Sequence, residues 1–481
     1  MSTHQQDYNM VVIGGGSAGL VSAYIAATLK AKVALIEKHR MGGDCLNTGC
    51  VPSKALIKTA RMVHQIQQHK IYGIKSASYE LDFAEVMERI QTVIKKIEPH
   101  DSVERYTGLG VECIQGEAEV VDAHTVRVNG RTLKTKSLIL ALGASPIIPK
   151  IPGLEKVQVL TSENLWDLRT LPKKLLVVGG GPIGCEMAQA FQRLGSQVTL
   201  LEAGPRLLPR EDDDVASLIA AQFQKEGMRL LLNTKAEAVM HEAGAMIMQG
   251  QTSDGRQEKI PFDAIFVAIG RRANTGQLDI KKLGLELNDN GTIRVDPYLR
   301  ANGKNIYACG DVAGPYQFTH VASHQAWYCA VNALFSPLKK FKADYRVIPW
   351  VTFTDPEIAQ VGHNEQSARK EGLDFEITTY NLDDLDRAIA ESEDYGRIKV
   401  LTERGKDKIL GANIVGPHAG ELLAEFTTAM KQGLGLNAIL GTIHPYPTFG
   451  EANKYVAGNW KKAHAPENVL AWLEKYQGWR R

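Results

Sequence analysis

Cys45 and Cys50 stand five positions apart in residues 42–54, which read GGDCLNTGCVPSK. Two thiols this close can form a disulfide and reopen it, and each cycle carries two electrons. Pro52 is typical of the first turn of a helix, so we expect Cys50 at a helix N-terminus, where the dipole favours a thiolate. The positive charge of Lys54 acts in the same direction. The segment therefore predicts a redox-active dithiol.

The other cysteines are scattered along a chain of 481 residues, which is unlike the cysteine framework of a small secreted protein. We interpret them as buried packing residues, at Cys113, Cys185, Cys309 and Cys329. One close pair among isolated thiols fits a reducing, cytoplasmic location. The net charge is +2 and no apolar run reaches about 20 residues, so we expect no nucleic-acid partner and no membrane span. No metal-binding residues are predicted.

A pattern of strand, glycine-rich turn, helix, strand and acidic residue occurs twice. The corresponding residues are Gly14, Gly16, Gly19 and Glu37 in the first copy, and Gly179, Gly181, Gly184 and Glu202 in the second. The glycines allow a pyrophosphate to approach the helix N-terminus, and the acid accepts hydrogen bonds from a ribose. The first copy continues into the cysteine segment, so we expect FAD there and a nicotinamide cofactor in the second copy.

Glu202 bears on the choice of nicotinamide cofactor. A carboxylate at this position hydrogen-bonds an unmodified ribose and repels a 2′-phosphate. Arg206 and Arg210 follow it in the sequence, but we expect the acid to dominate. The sequence therefore predicts NAD(H) in preference to NADP(H).

In this order the motifs resemble those of the class I pyridine nucleotide–disulfide oxidoreductases, which include dihydrolipoyl dehydrogenase, glutathione reductase and mercuric reductase. The resemblance covers about residues 8–465. It implies that Cys45 meets the substrate, that Cys50 lies against the flavin, and that Lys54 lies near the flavin N5. It places Glu186 close to the nicotinamide and Lys54. It also implies further cofactor contacts at Gly43, Gly143, Gly270 and Asp311, the last on the ribityl chain of FAD.

The resulting fold class is α/β, with two Rossmann-like domains and a C-terminal α+β dimerisation domain. Alternating apolar residues after about residue 345 predict the antiparallel sheet of that last domain. The tail is predicted to be an amphipathic helix whose tryptophans pack on the surface. The predicted parts are a first FAD-binding segment with the cysteines (1–150), an NAD(P)-binding domain (151–273), a second FAD-binding segment (274–344), the dimerisation domain (345–465) and the tail helix (466–481).

The chain departs from the family where a His-Pro-Thr-x-x-Glu motif supplies a general base. Residues 444–451 read HPYPTFGE, so Tyr446 stands in the place of the histidine and Glu451 in that of the glutamate. Tyrosine, with a pKa of about 10, is a poor base at neutral pH. His444 is the alternative base, and which of the two side chains faces the cysteines is left open. The resemblance implies a homodimer in which Tyr446 and Glu451 complete the partner's site.

Mercuric reductase resembles the chain here, because it also carries a tyrosine at this place. A soft metal ion needs thiolates and no proton shuttle. Tyr106 resembles a second active-site tyrosine of that enzyme, although a core position is the simpler interpretation. The tail lacks the cysteine pair of mercuric reductase, and Glu202 disfavours the NADPH which that enzyme typically uses.

The sequence thus predicts an FAD-dependent, NAD(P)H-linked oxidoreductase with a Cys45–Cys50 disulfide, acting on a small thiol, disulfide or thiophilic substrate. Two alternatives remain. One is a mercury(II) reductase proper, and the other is a diaphorase or transhydrogenase that does not need the disulfide. The substrate and the direction of electron flow are left open.

Overall fold

The computed structural model describes residues 6–242, 244–302 and 305–481, and the chain divides into two compact units. The second unit contains His69–Lys75, Arg206–Phe223 and Tyr345–Arg481, and the first unit contains the rest. Arg206–Phe223 thus belongs with the C-terminal unit, although its place in the sequence is inside the predicted NAD(P)-binding domain.

The N-terminal part of the first unit alternates strands and helices around the cysteine segment. Its elements are β1 (Tyr8–Ile13), α1 (Ser17–Thr28), β2 (Val33–Glu37), α2 (Gly43–Asn47), α3 (Cys50–Gln67), α4 (Phe83–Ile97), α5 (Val103–Gly108), β3 (Val111–Gln115), β4 (Glu119–Asp122), β5 (Thr125–Val128), β6 (Arg131–Leu140) and β7 (Ala144–Pro146).

Residues 151–344 contain the second glycine turn and then return to the first sheet. Their elements are β8 (Val159–Leu160), β9 (Lys174–Val178), α6 (Pro182–Leu194), β10 (Gln197–Leu201), α7 (Asp213–Lys225), β11 (Arg229–Leu231), β12 (Thr234–Glu242), β13 (Ala245–Thr252), β14 (Gln257–Phe262), β15 (Ala264–Val267), β16 (Arg271–Ala273), β17 (Ile306–Ala308) and α8 (Thr319–Phe335).

Each glycine turn follows the central strand of a parallel sheet. In the first sheet the parallel strands have the order β3-β2-β1-β6-β17, and β5 and β4 extend it from β6 as antiparallel strands. The second sheet is parallel throughout, in the order β11-β10-β9-β15-β8. The strands β1 and β9 are almost entirely buried, as expected for sheets covered on both faces. Both glycine turns therefore open at the carboxyl edge of a sheet, where nucleotides bind in such folds.

The C-terminal part of the second unit is an antiparallel sheet covered by helices. Its elements are β18 (Pro349–Thr352), β19 (Glu357–Gly362), α9 (Glu365–Lys370), β20 (Phe375–Asn381), α10 (Asp386–Glu391), β21 (Arg397–Glu403), β22 (Ile409–Gly416), α11 (Ala419–Gln432), α12 (Leu436–Gly441), α13 (Glu451–Ala463) and α14 (Glu467–Arg480). The strand order is β18-β19-β22-β21-β20. One apolar core joins this sheet to α11 and α13, with Phe426 and Trp460 among its buried side chains.

The tail helix α14 forms as predicted but does not pack as predicted. None of its residues is buried, and Trp472 and Trp479 are 60% and 82% exposed. The prediction that the tryptophans pack on the surface of the chain is therefore wrong for the single chain. The helix follows a break at His464–Pro466, and its aromatic side chains stack on one another instead, Trp472 on Tyr476.

No helix in the described ranges is both long enough and apolar enough to cross a membrane.

Candidate active site

The two cysteines lie on consecutive helices, with Cys45 inside α2 and Cys50 as the first residue of α3. Both are free thiols. A hydrogen bond from Cys45, together with the Thr319 hydroxyl and the charge of Lys54, lowers the pKa of Cys50 to about 6. The same hydrogen bond, with burial, raises the pKa of Cys45. At neutral pH the reduced pair therefore holds one proton, on Cys45, beside a Cys50 thiolate.

Thr319 is a site residue that the sequence analysis missed. It is the first residue of α8, and its Oγ1 lies 3.3 Å from the Cys50 sulfur. The two residues are 269 positions apart in the chain. Nothing in the sequence near Thr319 indicates that its hydroxyl meets a cysteine so far away in the chain.

Lys54 and Glu186 form an ion pair between the two nucleotide-binding halves of the first unit. Lys54 lies one turn after Cys50 on α3, and Glu186 lies on α6 behind the second glycine turn. The distance from Lys54 Nζ to Glu186 Oε2 is 2.8 Å, and Glu186 is buried. The cation is thereby held where its charge favours the Cys50 thiolate.

A cavity of about 830 Å³ opens in front of the first glycine turn. Several residues that the sequence analysis assigned to FAD line it, together with one of the cysteines: Gly14, Gly16, Glu37, Gly43, Gly143, Asp311 and Cys45. The cavity therefore runs from the predicted pyrophosphate position to the dithiol, as an elongated dinucleotide requires.

The glycines around this cavity have two different structural roles. Gly14 has a φ of +105°, and a Cβ there would lie 2.2 Å from the Ala141 carbonyl oxygen. A Cβ at Gly19 would lie 1.7 Å from the Gly14 carbonyl oxygen. At Gly143, by contrast, a Cβ would meet no protein atom within 4 Å, and the residue lines the cavity. The first two glycines permit tight packing, and the third leaves space that a bound FAD can occupy.

Both acidic residues of the repeated pattern are anchored to their own glycine turns. Glu37 accepts a 2.6 Å hydrogen bond from Gly15 N, and Glu202 accepts a 2.6 Å hydrogen bond from Gly180 N. The second oxygen of Glu202 accepts a hydrogen bond from Gly204 N. These bonds orient each carboxylate at the end of its strand, and each oxygen keeps a second lone pair for a ribose hydroxyl.

The second glycine turn repeats the packing of the first. A Cβ at Gly179 would lie 2.5 Å from the Ala268 carbonyl oxygen, and one at Gly184 would lie 1.9 Å from the Gly179 carbonyl oxygen. A Cβ at Gly181 would meet nothing within 4 Å. This turn therefore leaves the same open space before α6 that a second pyrophosphate would need.

Asp311 lies in a loop that follows β17 and lines the cavity. Burial raises the pKa of its carboxyl group, and the charge of Arg271 opposes this. The loop is held by Gln325, which accepts a hydrogen bond from Gly310 N and donates one to the Gly314 carbonyl oxygen. Gln325 was not identified from the sequence, because a glutamine inside a helix carries no local sign of such a role.

The predicted residue Gly270 precedes β16 with a φ of +135°. Next to it, the Nε of Arg271 is buried and has no hydrogen-bond partner within the described part of the chain. An unused donor close to Asp311 and the open space at Gly143 both fit a polar dinucleotide in this cavity. The residues present therefore fit FAD.

The remaining cysteines were predicted to be buried packing residues, and a core position was the simpler interpretation of Tyr106. Cys185, Cys309 and Cys329 are buried, whereas Cys113 is only half-buried. The prediction was wrong for Cys113 because β3 is an edge strand of its sheet. Tyr106 is 4% exposed, and burial raises its pKa to about 12, which agrees with a core position.

His444 is held inside the C-terminal unit. Its Nδ1 lies 3.0 Å from the Thr442 carbonyl oxygen, and its Nε2 lies 3.0 Å from Glu425 Oε1. Glu425 also accepts a hydrogen bond from Asn453. Both ring nitrogens of His444 are therefore engaged in structural contacts.

Tyr446 is 69% exposed, and its hydroxyl donates a 2.9 Å hydrogen bond to Asp386. This bond raises the pKa of Tyr446. Glu451 is buried and accepts hydrogen bonds from Thr448 N and from the Tyr455 hydroxyl. The carboxylate that orients Tyr446 therefore comes from the start of α10. The sequence analysis missed Asp386, which lies 60 positions from Tyr446.

The chain matches known proteins over most of its length. Residues 8–326 match the family described as pyridine nucleotide-disulphide oxidoreductase, and residues 348–457 match the dimerisation domain of the same family. A mercuric reductase of Lysinibacillus sphaericus is 34% identical over 454 residues, covering 94% of this chain and 83% of the relative. A dihydrolipoyl dehydrogenase of Chlamydia muridarum is 34% identical over 453 residues, covering 92% of this chain and 95% of the relative.

Among solved structures, the Cu(II) complex of the HOCl-induced flavoprotein disulfide reductase RclA from Escherichia coli has a similar fold. Its TM-score is 0.82 at 29% identity, and the match covers 93% of this chain and 98% of that chain. The family resemblance and the fold class predicted from the sequence are both confirmed. The chain belongs to the pyridine nucleotide-disulphide oxidoreductase family, and it is a flavoprotein disulfide oxidoreductase of a family that uses FAD and a pyridine nucleotide.

Proposed function

We propose that the enzyme uses NADH to reduce a thiophilic metal ion at Cys45 and Cys50, in preference to oxidising a dithiol substrate. One observation carries this choice. Tyr446 is the exposed side chain where the family has a histidine base, and both nitrogens of His444 are engaged. A dithiol substrate must lose protons to a base, whereas a soft metal ion binds directly to thiolates.

In this proposal the electron pair enters through the flavin side of the dithiol. A bound FAD would supply the two-electron chemistry that links the nicotinamide to the disulfide. Reduction breaks the Cys45–Cys50 bond, and in the reduced pair Cys50 is the thiolate, which its low pKa of about 6 favours. Lys54, paired with Glu186, holds a positive charge beside this thiolate.

The outer sulfur is the proposed metal-binding position. Cys45 holds the one proton of the reduced pair, and a metal ion bound by both sulfurs displaces it to solvent. The ion then takes two electrons from two thiolates, or two ions take one each, and the disulfide forms again. These steps balance without a protein base at the outer sulfur.

Tyr446 and Asp386 would act on this position from the partner subunit of a homodimer. The phenol proton is committed to Asp386 at 2.9 Å, so the lone pairs of the phenol oxygen point away from that carboxylate. Such an oxygen can accept a hydrogen bond from a thiol or contact a metal ion. Glu451 would hold the loop that carries Tyr446 by accepting a hydrogen bond from Thr448 N. His444 would hold the same loop through its contact with Glu425.

The preference for NADH rests on Glu202. Its carboxylate is fixed by two backbone hydrogen bonds, from Gly180 and Gly204, at the place of a ribose. Arg206, which could have attracted a 2′-phosphate, forms an ion pair with Asp213.

The cytoplasmic location stays a prediction, supported by the free thiols of the described cysteines.

Steady-state turnover of the holoenzyme tests the proposal, with Cu(II), Hg(II), glutathione disulfide, and dihydrolipoamide plus NAD as separate substrates. We expect NADH oxidation with a metal ion to exceed dihydrolipoamide oxidation at least tenfold, and NADH to be used better than NADPH. Cys45→Ser should abolish metal reduction, and Cys113→Ser is the matched control. Faster turnover of dihydrolipoamide would overturn the choice of substrate. Full activity of Cys45→Ser would instead support a diaphorase.

A further inference from the structure

Asp44 places a negative charge in the wall of the FAD cavity, next to the first glycine turn. Its segment packs directly on that turn. Gly42 N donates a 2.9 Å hydrogen bond to the Gly15 carbonyl oxygen, and a Cβ at Gly43 would lie 2.6 Å from Gly16 Cα. The turn is where the helix N-terminus favours a pyrophosphate. A carboxylate one residue further along therefore lies beside a position that a dianion would occupy.

The charge of Asp44 is matched by Arg271, which is 227 positions away in the sequence. The guanidinium of Arg271 forms an ion pair with Asp44 and donates to the Ala144 carbonyl oxygen. Its Nε lies 3.9 Å from Asp311 Oδ2 and is buried without a hydrogen-bond partner among the residues that the structure describes. One mostly buried cation thus stands between two carboxylates of the same cavity.

Arg271 is the cation that pairs directly with Asp44, although other charged side chains also line this cavity. Asp44 and Asp311 both line the cavity, and FAD would bring two further negative charges on its phosphates. Among the described cavity-lining residues, Lys38, Arg40, Lys95 and Arg169 also carry positive charge, but no ion pair joins them to Asp44. Without Arg271, Asp44 would face the pyrophosphate as an uncompensated charge in a partly desolvated site, which is unfavourable.

We propose that Arg271 is the counter-charge of Asp44, and that this ion pair sets the affinity of the protein for FAD. The inference rests on FAD binding in the cavity described above, and it is independent of the substrate. Arg271 keeps the Asp44 carboxylate turned toward itself and away from the phosphates. It also supplies the positive charge that offsets Asp44 and Asp311.

The test measures the release of FAD from purified holoenzyme on dilution, by flavin fluorescence, with no substrate present. We expect Arg271→Gln to weaken FAD binding tenfold or more. Asp44→Asn should bind FAD at least as tightly as the natural protein. Combining Asp44→Asn with Arg271→Gln should restore most of the affinity, because the charge that needed compensation is gone. Arg272→Gln, at the neighbouring exposed arginine, is the matched control and should not change the affinity.

Two results would overturn the proposal. One is an Arg271→Gln variant that keeps FAD as well as Arg272→Gln does. The other is a double variant that binds FAD no better than Arg271→Gln alone. If Arg271→Gln does not fold, Arg271→Lys keeps the charge and should retain FAD within about threefold, and a tenfold loss in it contradicts a charge role. Because no electron acceptor is used, failure here leaves the proposed substrate untouched.

Discussion

At the scale of single residues, the reduced cysteine pair is asymmetric. Cys50 accepts a hydrogen bond from Cys45 and lies close to Thr319 and Lys54, and these groups lower its pKa to about 6. Cys45 has its pKa raised by the same hydrogen bond and by burial. In the reduced pair the asymmetry therefore assigns the thiolate to Cys50 and the proton to Cys45.

The Cys50 thiolate should persist down to about pH 6, because its pKa is lowered to that value. Because its pKa is lowered to about 6, the thiolate–flavin charge-transfer absorbance of the reduced holoenzyme should be present above pH 6 and disappear below it. Thr319→Val removes a hydrogen bond to the thiolate, so the midpoint should move to higher pH. Thr59→Val, on α3 away from the sulfurs, is the control. An unchanged midpoint in Thr319→Val would show that the hydroxyl does not stabilise the thiolate.

Asp386 should control the ionisation of Tyr446. The hydrogen bond to Asp386 raises the pKa of the phenol, so Asp386→Asn should lower that pKa. Protein labelled with 3-fluorotyrosine would show the titration by ¹⁹F NMR, with the resonance assigned through Tyr446→Phe. Asp383→Asn is the matched control. If Asp386→Asn leaves the titration of Tyr446 in place, the hydrogen bond does not persist in solution.

At the scale of elements, Lys399 connects three segments of the C-terminal unit. It lies on β21 with its side chain 2% exposed, and its Nζ contacts Asp212, Asp214 and Glu365 at distances of 2.7, 3.0 and 2.9 Å. Burial alone would lower the pKa of Lys399, but the hydrogen bonds to these carboxylates raise it. The network attaches α7 and α9 to the sheet.

Lys399→Met should destabilise the protein strongly. The substitution leaves the buried Asp212 without its cation, and breaking a buried pair in this way costs about 3–5 kcal/mol. The urea midpoint of unfolding, followed by tryptophan fluorescence, should fall. Lys406→Met removes an exposed pair with Glu403 and should leave the midpoint almost unchanged. Equal effects of the two variants would contradict the structural role of Lys399.

At the scale of the whole molecule, the dimerisation domain bears on the oligomeric state, and the tail helix bears on the stability of the protomer. Residues 348–457 match the family's dimerisation domain, and we expect a homodimer by light scattering. The helix α14 has no buried residue in the single chain. Its contribution to the stability of the protomer should therefore be small.

Deleting residues 466–481 should change the unfolding free energy by at most about 0.5 kcal/mol, because none of the residues of α14 is buried. Trp460→Ala, on the buried face of α13, should cost about 3–5 kcal/mol and serves as the contrast. Thermal unfolding at several protein concentrations measures both. A loss in the truncated protein that grows on dilution would show that α14 stabilises an assembly.

The order of motifs was sufficient to predict the family, both glycine turns and the dithiol. These features depend on neighbours close in sequence, since a turn glycine and a cysteine pair act within one strand–turn–helix segment. The start of α3 at Cys50 and the two nucleotide-binding sheets could be predicted from the sequence for the same reason.

The partners of the site residues followed only from the tertiary structure. Thr319 meets Cys50, Arg271 meets Asp44, and Asp386 meets Tyr446, at sequence separations of 269, 227 and 60. No local pattern encodes such pairs, because they form when packing of the apolar cores brings distant segments within hydrogen-bond reach. The amino-acid sequence specified which groups carry the chemistry, through short-range spacing. The folded chain specified which charges and hydrogen bonds adjust those groups, because electrostatic interactions act through space and not along the backbone.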